Sequence, residues 1–172
     1  AVREKRKLMV STATVALQRQ LERDLEKLAV VAPVKFKHKV LKGRARYVCD
    51  RDLAHLGGED EAQASLGLGD AIAPAWTFKP TKQEIATTHR MLEARRRKTW
   101  DGDMDSWKDP IPERIRPLIT TTGAGCSGQS CQHMVRCPYH AAKRGWVDAD
   151  VLVVNHALLL ADQALGSGAL LP

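Results

Sequence analysis

The sequence predicts an α/β fold interrupted by a long insertion. Near the start, Leu8-Met9-Val10 is a short apolar run ending in Ser11-Thr12, and a leucine-spaced stretch follows it. Near the end, Val151-Leu152-Val153-Val154 is a continuous apolar run, the pattern of a parallel strand buried on both faces. Between these two pieces lie four cysteines spaced C-x76-C-x4-C-x5-C.

The chain has 172 residues, enough for one domain or somewhat more. It is 44% hydrophobic but only 5% aromatic, so its core must rest on Leu, Val, Ile and Ala. No apolar run approaches the roughly 20 residues that span a bilayer. The stretch LMVSTATVAL is broken by Ser11, Thr12 and Thr14 and makes no signal-peptide core. The expected location is the cytoplasm, with no membrane partner, where thiols stay reduced.

The formal net charge is +7 and it is unevenly placed. Residues 1–46 carry 13 Lys/Arg and 4 Asp/Glu, whereas residues 47–172 carry 14 and 16. A basic segment of this kind suits a polyanion such as nucleic acid, or it is a solvated face.

Taken in order, Leu8–Val10 reads as a buried strand. Thr14 is placed to cap a helix reaching about Leu28, with Leu17, Leu21, Leu25 and Leu28 on one stripe and Gln18 off it. Pro33 ends that unit. VKFKHKV follows, where Lys35, Lys37 and Lys39 alternate with apolar residues and His38, a half-buried strand with a lysine face. Residues 50–80 read as a loop with one short helix. Thr81-x-x-Glu84 has the form of a capping box. It opens a helix to about Lys98, with Ile85, Leu92 and Ala86 expected to face inward. Its basic end, Arg95–Lys98, suits either the helix dipole or a DNA contact. Pro138 opens a further short helix that Gly145 closes, and ALLLAD after Asn155-His156 starts another.

Two motifs fail on inspection. Asp101, Asp103 and Asp105 imitate a calcium loop, but its sixth and twelfth positions are Ser106 and Pro112 instead of Gly and Glu. Gly123–Gly128 spells GxGxxG, yet it lacks the following apolar helix that a dinucleotide site needs.

Cys49, Cys126, Cys131 and Cys137 leave three readings open: a metal or iron–sulfur site, two disulfides, or unrelated core thiols. One distant cysteine and a close triplet depart from the paired spacing of zinc ribbons. They suit a larger inorganic core at least as well. His133 and His140 are candidate ligands of a Cys3His zinc site or neighbours of the true ligands.

Four ordered stretches then carry a family likeness: STATVALQRQL at 11–21, LKGRARYVC at 41–49, CSGQSCQHMVRCPYHAAKRG at 126–145 and ADVLVVNHALLLAD at 149–162. WDGDMDSW at 100–107 is a weaker fifth. The chain resembles the segment between the nucleotide-binding loop and the DEAH box of DinG/XPD-type iron–sulfur superfamily 2 DNA helicases, nearest to the bacterial DinG branch. That resemblance implies a partial RecA-like helicase domain 1 with an inserted, mainly helical [4Fe–4S] cluster domain. Residues 1–33 would be the motif Ia strand–helix piece, 34–146 the cluster domain and 147–172 the return to helicase domain 1. It further implies cluster ligation by Cys49, Cys126, Cys131 and Cys137. Single-stranded DNA contacts would fall to Thr12, Thr14, Lys42, Arg44 and Arg46. The parent would be a monomeric, ATP- and Mg²⁺-dependent 5′→3′ helicase of DNA repair and replication.

The departures also matter. The 172 residues hold no G-x-x-x-x-G-K-[ST] loop and no DEAH box, and phosphoryl transfer needs both a phosphate cradle and a metal carboxylate. The expectation is a fragment that does not hydrolyse ATP alone and has no catalytic residue of its own. The alternative is a stand-alone zinc-binding nucleic-acid adaptor. An iron–sulfur nuclease would need paired carboxylates with a lysine, for which no arrangement stands out. A redox sensor is a further reading of the same cluster.

Overall fold

The computed structural model describes residues 6–57 and 78–172. Much of the loop expected over 50–80 lies outside the described residues. The chain forms two compact units: one joins the stretch up to Gly43 with that from Ala141 onward, and the other runs from Arg44 to His140.

The first unit is mixed α/β. Strands β1 (Leu8–Thr12), β2 (His38–Leu41) and β3 (Val151–Asn155) form a parallel sheet in the order β1-β3-β2. The last strand in sequence is therefore the central one. Leu8 and His38 both pair with Val151, one on each side. Val151–Val154 are buried, as an uninterrupted apolar run in a two-sided parallel strand should be.

Helix α1 (Val15–Val31) covers one face. Thr14 caps it, its hydroxyl accepting from the Leu17 N–H at 3.2 Å, which ties down one of the donors a helix start leaves open. Leu25 packs against Val151 and Val153, with Val10, Leu21, Phe36 and Val40 alongside. The stripe differs from the expected one: Gln18 is buried, while Leu17 and Leu28 are about half exposed. At about 100° per residue around a helix, Gln18 lies about 20° from the buried Leu25, whereas Leu17 and Leu28 lie about 80° and 60° from it on the same side and leave the contact.

The lysine-faced segment keeps its alternation. Lys35, Lys37 and Lys39 are exposed and Phe36, His38 and Val40 half-buried. Ladder pairing, however, covers only His38–Leu41. Before it, Asp150 takes over: its carboxylate accepts from the Lys37 N–H at 2.8 Å, and its N–H donates to the Lys37 carbonyl at 2.8 Å. Because β2 belongs to the sheet, the units divide after Gly43, later than the division expected after Pro33.

The second unit holds α2 (Asp50–Leu56) and α3 (Lys82–Arg96). Helix α4 (Pro138–Val147) begins at its end and continues past its boundary, and α5 (His156–Ala164) lies in the first unit. The described residues thus hold five α-helices. Helices α2 and α3 pack around Val48, Leu53, Met91, Trp100, Ile115 and Ile119. The capping box of α3 forms: Thr81 accepts from the Glu84 N–H at 3.2 Å and Glu84 from the Thr81 N–H at 2.7 Å. The buried face is Glu84, Thr87, Thr88, Met91 and Leu92, whereas Ala86 is exposed.

At the C-terminal end, Asp162 in α5 gathers the chain behind it. Its carboxylate accepts from the N–H groups of Gly168 at 2.9 Å, Leu170 at 2.6 Å and Leu171 at 3.0 Å. These bonds hold its carboxyl below the usual range. A depressed carboxylate contributes stability above its ordinary value, about pH 3.9, and loses it as pH falls through the lower folded value. Amide exchange at Gly168, Leu170 and Leu171 should therefore rise below about pH 4 relative to the β3 core. Asp162→Asn should show the same loosening at neutral pH.

Candidate metal centre

Cys49 stands where a short bridging segment meets α2. Val48 bridges Thr120, the Cys49 N–H donates to the Ile119 carbonyl at 2.8 Å, and the Cys49 carbonyl accepts from Leu53 N–H as α2 begins. This returns residue 49 to the chain that leads into the triplet. From there the backbone advances in tight turns. Two 3₁₀ turns, Gly128–Ser130 and Met134–Arg136, place Cys131 between them and Cys137 at the end. Such turns rise steeply per residue and suit a segment that must present thiols at short intervals.

All four cysteines line one pocket, together with Arg44, Tyr47, Arg51 and Tyr139 among others. Each thiol is half-buried and none is in a disulfide, so the disulfide reading finds no bond here. Among the described residues, no three His, Cys, Asp or Glu side chains gather tightly enough to hold a single metal ion. Burial pushes the Cys49 thiol up to about 12, since a low-dielectric site disfavours thiolate. The Cys126 sulfur receives the Gly128 N–H at 3.4 Å.

The pocket wall is aromatic on one side. Tyr47 and Tyr139 meet edge to face at 5.9 Å, and both are buried. The Arg44 guanidinium lies over the Tyr139 ring at 4.3 Å, within cation–π reach. Burial raises the pKa of both tyrosines. His133 and His140 also line the pocket.

The expected DNA contacts are distributed over both units. Thr12, Thr14 and Lys42 are in the first and Arg44 and Arg46 in the second. Thr12 and Thr14 sit at the carboxyl end of β1 and the start of α1. Arg46 is engaged through a two-oxygen ion pair with Asp105. The aspartates of the 101–105 loop bond their own backbone: Asp101 accepts from Asp103 N–H at 3.0 Å and Asp103 from Asp105 N–H at 2.9 Å. These contacts tie the loop down.

Two arginines beside the site escaped the sequence reading. Arg51 and Arg95 reach the chain next to several of the cysteines. Arg51 had a signal in its place two residues after Cys49. Arg95 was read only as part of a basic helix end.

The fold and pocket define a class: a parallel α/β unit interrupted by a unit whose cysteines surround one pocket. Comparison with known proteins sharpens this. The chain is 40% identical over 169 residues to the ATP-dependent DNA helicase DinG of Photobacterium profundum, covering 97% of this chain. It is 34% identical over 172 residues to the proteins of the same name from Escherichia coli and Salmonella typhimurium. The chain is thus a homologue of DinG helicases along nearly its whole length. It spans about 23% of the length of these relatives. No protein-family model matches it. Among the described residues, no helix is long and apolar enough to cross a membrane.

Gly102 offers a direct check on the packing behind the triplet. Its φ is +92°, its carbonyl accepts from Val48 N–H, and an added Cβ would fall 2.4 Å from a carbon of Pro138, the residue after Cys137. Gly102→Ala should cost about 1–3 kcal/mol through backbone strain and overpacking. Denaturant unfolding would measure the loss.

Proposed function

We propose that this chain is the iron–sulfur and single-stranded-DNA-binding segment of an ATP-dependent 5′→3′ DNA helicase of DinG type, acting in DNA repair and replication. Cys49, Cys126, Cys131 and Cys137 hold a [4Fe–4S] cluster. The observation that carries this reading is the meeting of Cys49 with the distant triplet Cys126, Cys131 and Cys137 around one pocket, in a chain similar to DinG helicases.

The donor set fits the group. Four unpaired thiols are the usual complement of such a cluster. A single zinc would draw four sulfurs to about 2.3 Å from one point. A four-iron core would take one thiolate from each of the four cysteines. When bound, the cluster supplies four iron–thiolate bonds that tie residue 49 to residues 126–137. The chain's own part is to bring these segments together and to exclude water with Tyr47 and Tyr139.

DNA binding falls to the basic residues. Thr12 and Thr14 meet phosphate at the start of α1, where helix N–H groups favour anions. Lys42, Arg44 and Arg46 are the further contacts, with Arg44 oriented by the Tyr139 ring. Arg46 shares its charge with Asp105. ATP and Mg²⁺ act in the parent helicase, and this segment contributes no catalytic residue.

Anaerobic purification should yield a coloured protein with about four irons and four acid-labile sulfides per chain, the content of one such cluster. A colourless protein with one zinc would overturn the cluster and favour the adaptor. For DNA, about four phosphate contacts give a slope near −3 for log K against log salt on single strands. Neutralising Lys42, Arg44 and Arg46 to Gln should flatten that slope. Binding indifferent to salt, or to these changes, would remove the DNA assignment.

A further inference from the structure

Two guanidinium groups, from different helices, hold residues adjoining three of the four cysteines. Arg51, in α2, donates from Nη1 to Ser127 Oγ at 3.0 Å and from Nη2 to the Gly125 carbonyl at 3.2 Å. Gly125 and Ser127 are the residues on either side of Cys126. Its Nε is set by Asp52 at 2.8 Å. Arg95, at the end of α3, donates from Nε and Nη2 to the two Asp50 carboxylate oxygens, both at 3.0 Å. The same Nη2 reaches the Arg136 carbonyl at 2.8 Å, and Nη1 the Trp100 carbonyl at 3.2 Å. Asp50 follows Cys49 and Arg136 precedes Cys137.

Chance contacts of basic surface residues would not select the neighbours of cysteines in this way. The Arg95–Asp50 pair is also well covered, with side chains 17% and 14% exposed. A two-pronged guanidinium–carboxylate bond in such a setting is directional as well as attractive. Lysine cannot reproduce it, because an ammonium is a point donor without the planar fork.

We propose that Arg51 and Arg95 are positioning residues of the metal centre, which hold the chain beside Cys49, Cys126 and Cys137 in place before the metal arrives. Arg51 joins the first-cysteine helix to the loop of the second cysteine. Arg95 joins the first cysteine's flank to the last cysteine's flank. Cys131 lies between the braced points, in the two 3₁₀ turns. This inference rests on the cluster reading above.

The test uses the full chain, purified anaerobically, with Arg51→Gln, Arg51→Lys and Arg95→Gln beside the wild type. Iron and sulfide are counted, and loss of visible absorbance is timed in excess iron chelator. Partners that orient metal ligands alter affinity about 10- to 100-fold when removed. Each Gln variant should release the cluster faster by a factor in that range, with helix content by circular dichroism unchanged. Arg51→Lys should restore only part of the retention. In the metal-free chain, Arg51→Gln should speed amide exchange over 125–128 about five- to tenfold, as loss of one or two hydrogen bonds would.

If Arg95→Gln fails to fold, the Asp50→Asn/Arg95→Gln pair, which leaves no unpaired carboxylate, carries the same measurement. A loaded wild type whose variants keep the cluster equally long, with unchanged exchange over 125–128, overturns the positioning role alone. A wild type without iron and sulfide overturns the cluster reading itself.

Discussion

The second unit depends on one backbone hydrogen bond and its neighbour. Cys49 N–H to the Ile119 carbonyl, with the Val48–Thr120 bridge beside it, brings residue 49 back to the chain entering the triplet. Without that closure the first thiol and the other three would be separate features of the sequence. The cost of closing a long loop rises only slowly with its length, so a large excursion between the first two cysteines is tolerable. The closure must still be held, and the apolar cluster around Val48, Ile115 and Ile119 supplies the burial that holds it. The cysteine pocket is in this sense built on a hydrophobic contact.

Much of this arrangement was legible in the sequence, for reasons that differ by element. The strand at 151–154 was readable because a strand buried on both faces needs no alternation, only an unbroken apolar run. The α3 capping box was readable because both partners lie within one turn. Its buried face was not: Thr87 and Thr88 are interior, their hydroxyls bonding the Gln83 and Ile85 carbonyls, and a threonine so satisfied behaves as an apolar residue. The leucine row of α1 misled at its ends because Leu17 and Leu28 fall well to one side of the buried direction set by Leu25. Gln18 took an inward place that no hydrophobic pattern would give it.

The cysteines of the candidate site were legible in the sequence, and the arginines beside them were not. Cysteines announce themselves by rarity and spacing. Arg51 and Arg95 do not, because their partners are set by tertiary return. Arg95 reaches Asp50 and Arg136, each more than forty positions away. The basic segment that looked uniform also divides. Arg44 rests on an aromatic ring and Arg46 on a carboxylate, while Lys35, Lys37 and Lys39 are exposed. Composition counts these residues alike; the fold assigns them different work.

The order β1-β3-β2 leaves β2 at one end of the sheet among the described residues. A terminal parallel strand carries backbone donors and acceptors on its outer side, an invitation to pair with another chain. Here Lys39 is exposed within β2, and Lys35 and Lys37 are exposed just before it. A second copy approaching in register would set like charges against like charges. The same lysines that suit a polyanion would thus oppose pairing of this strand with its own copy.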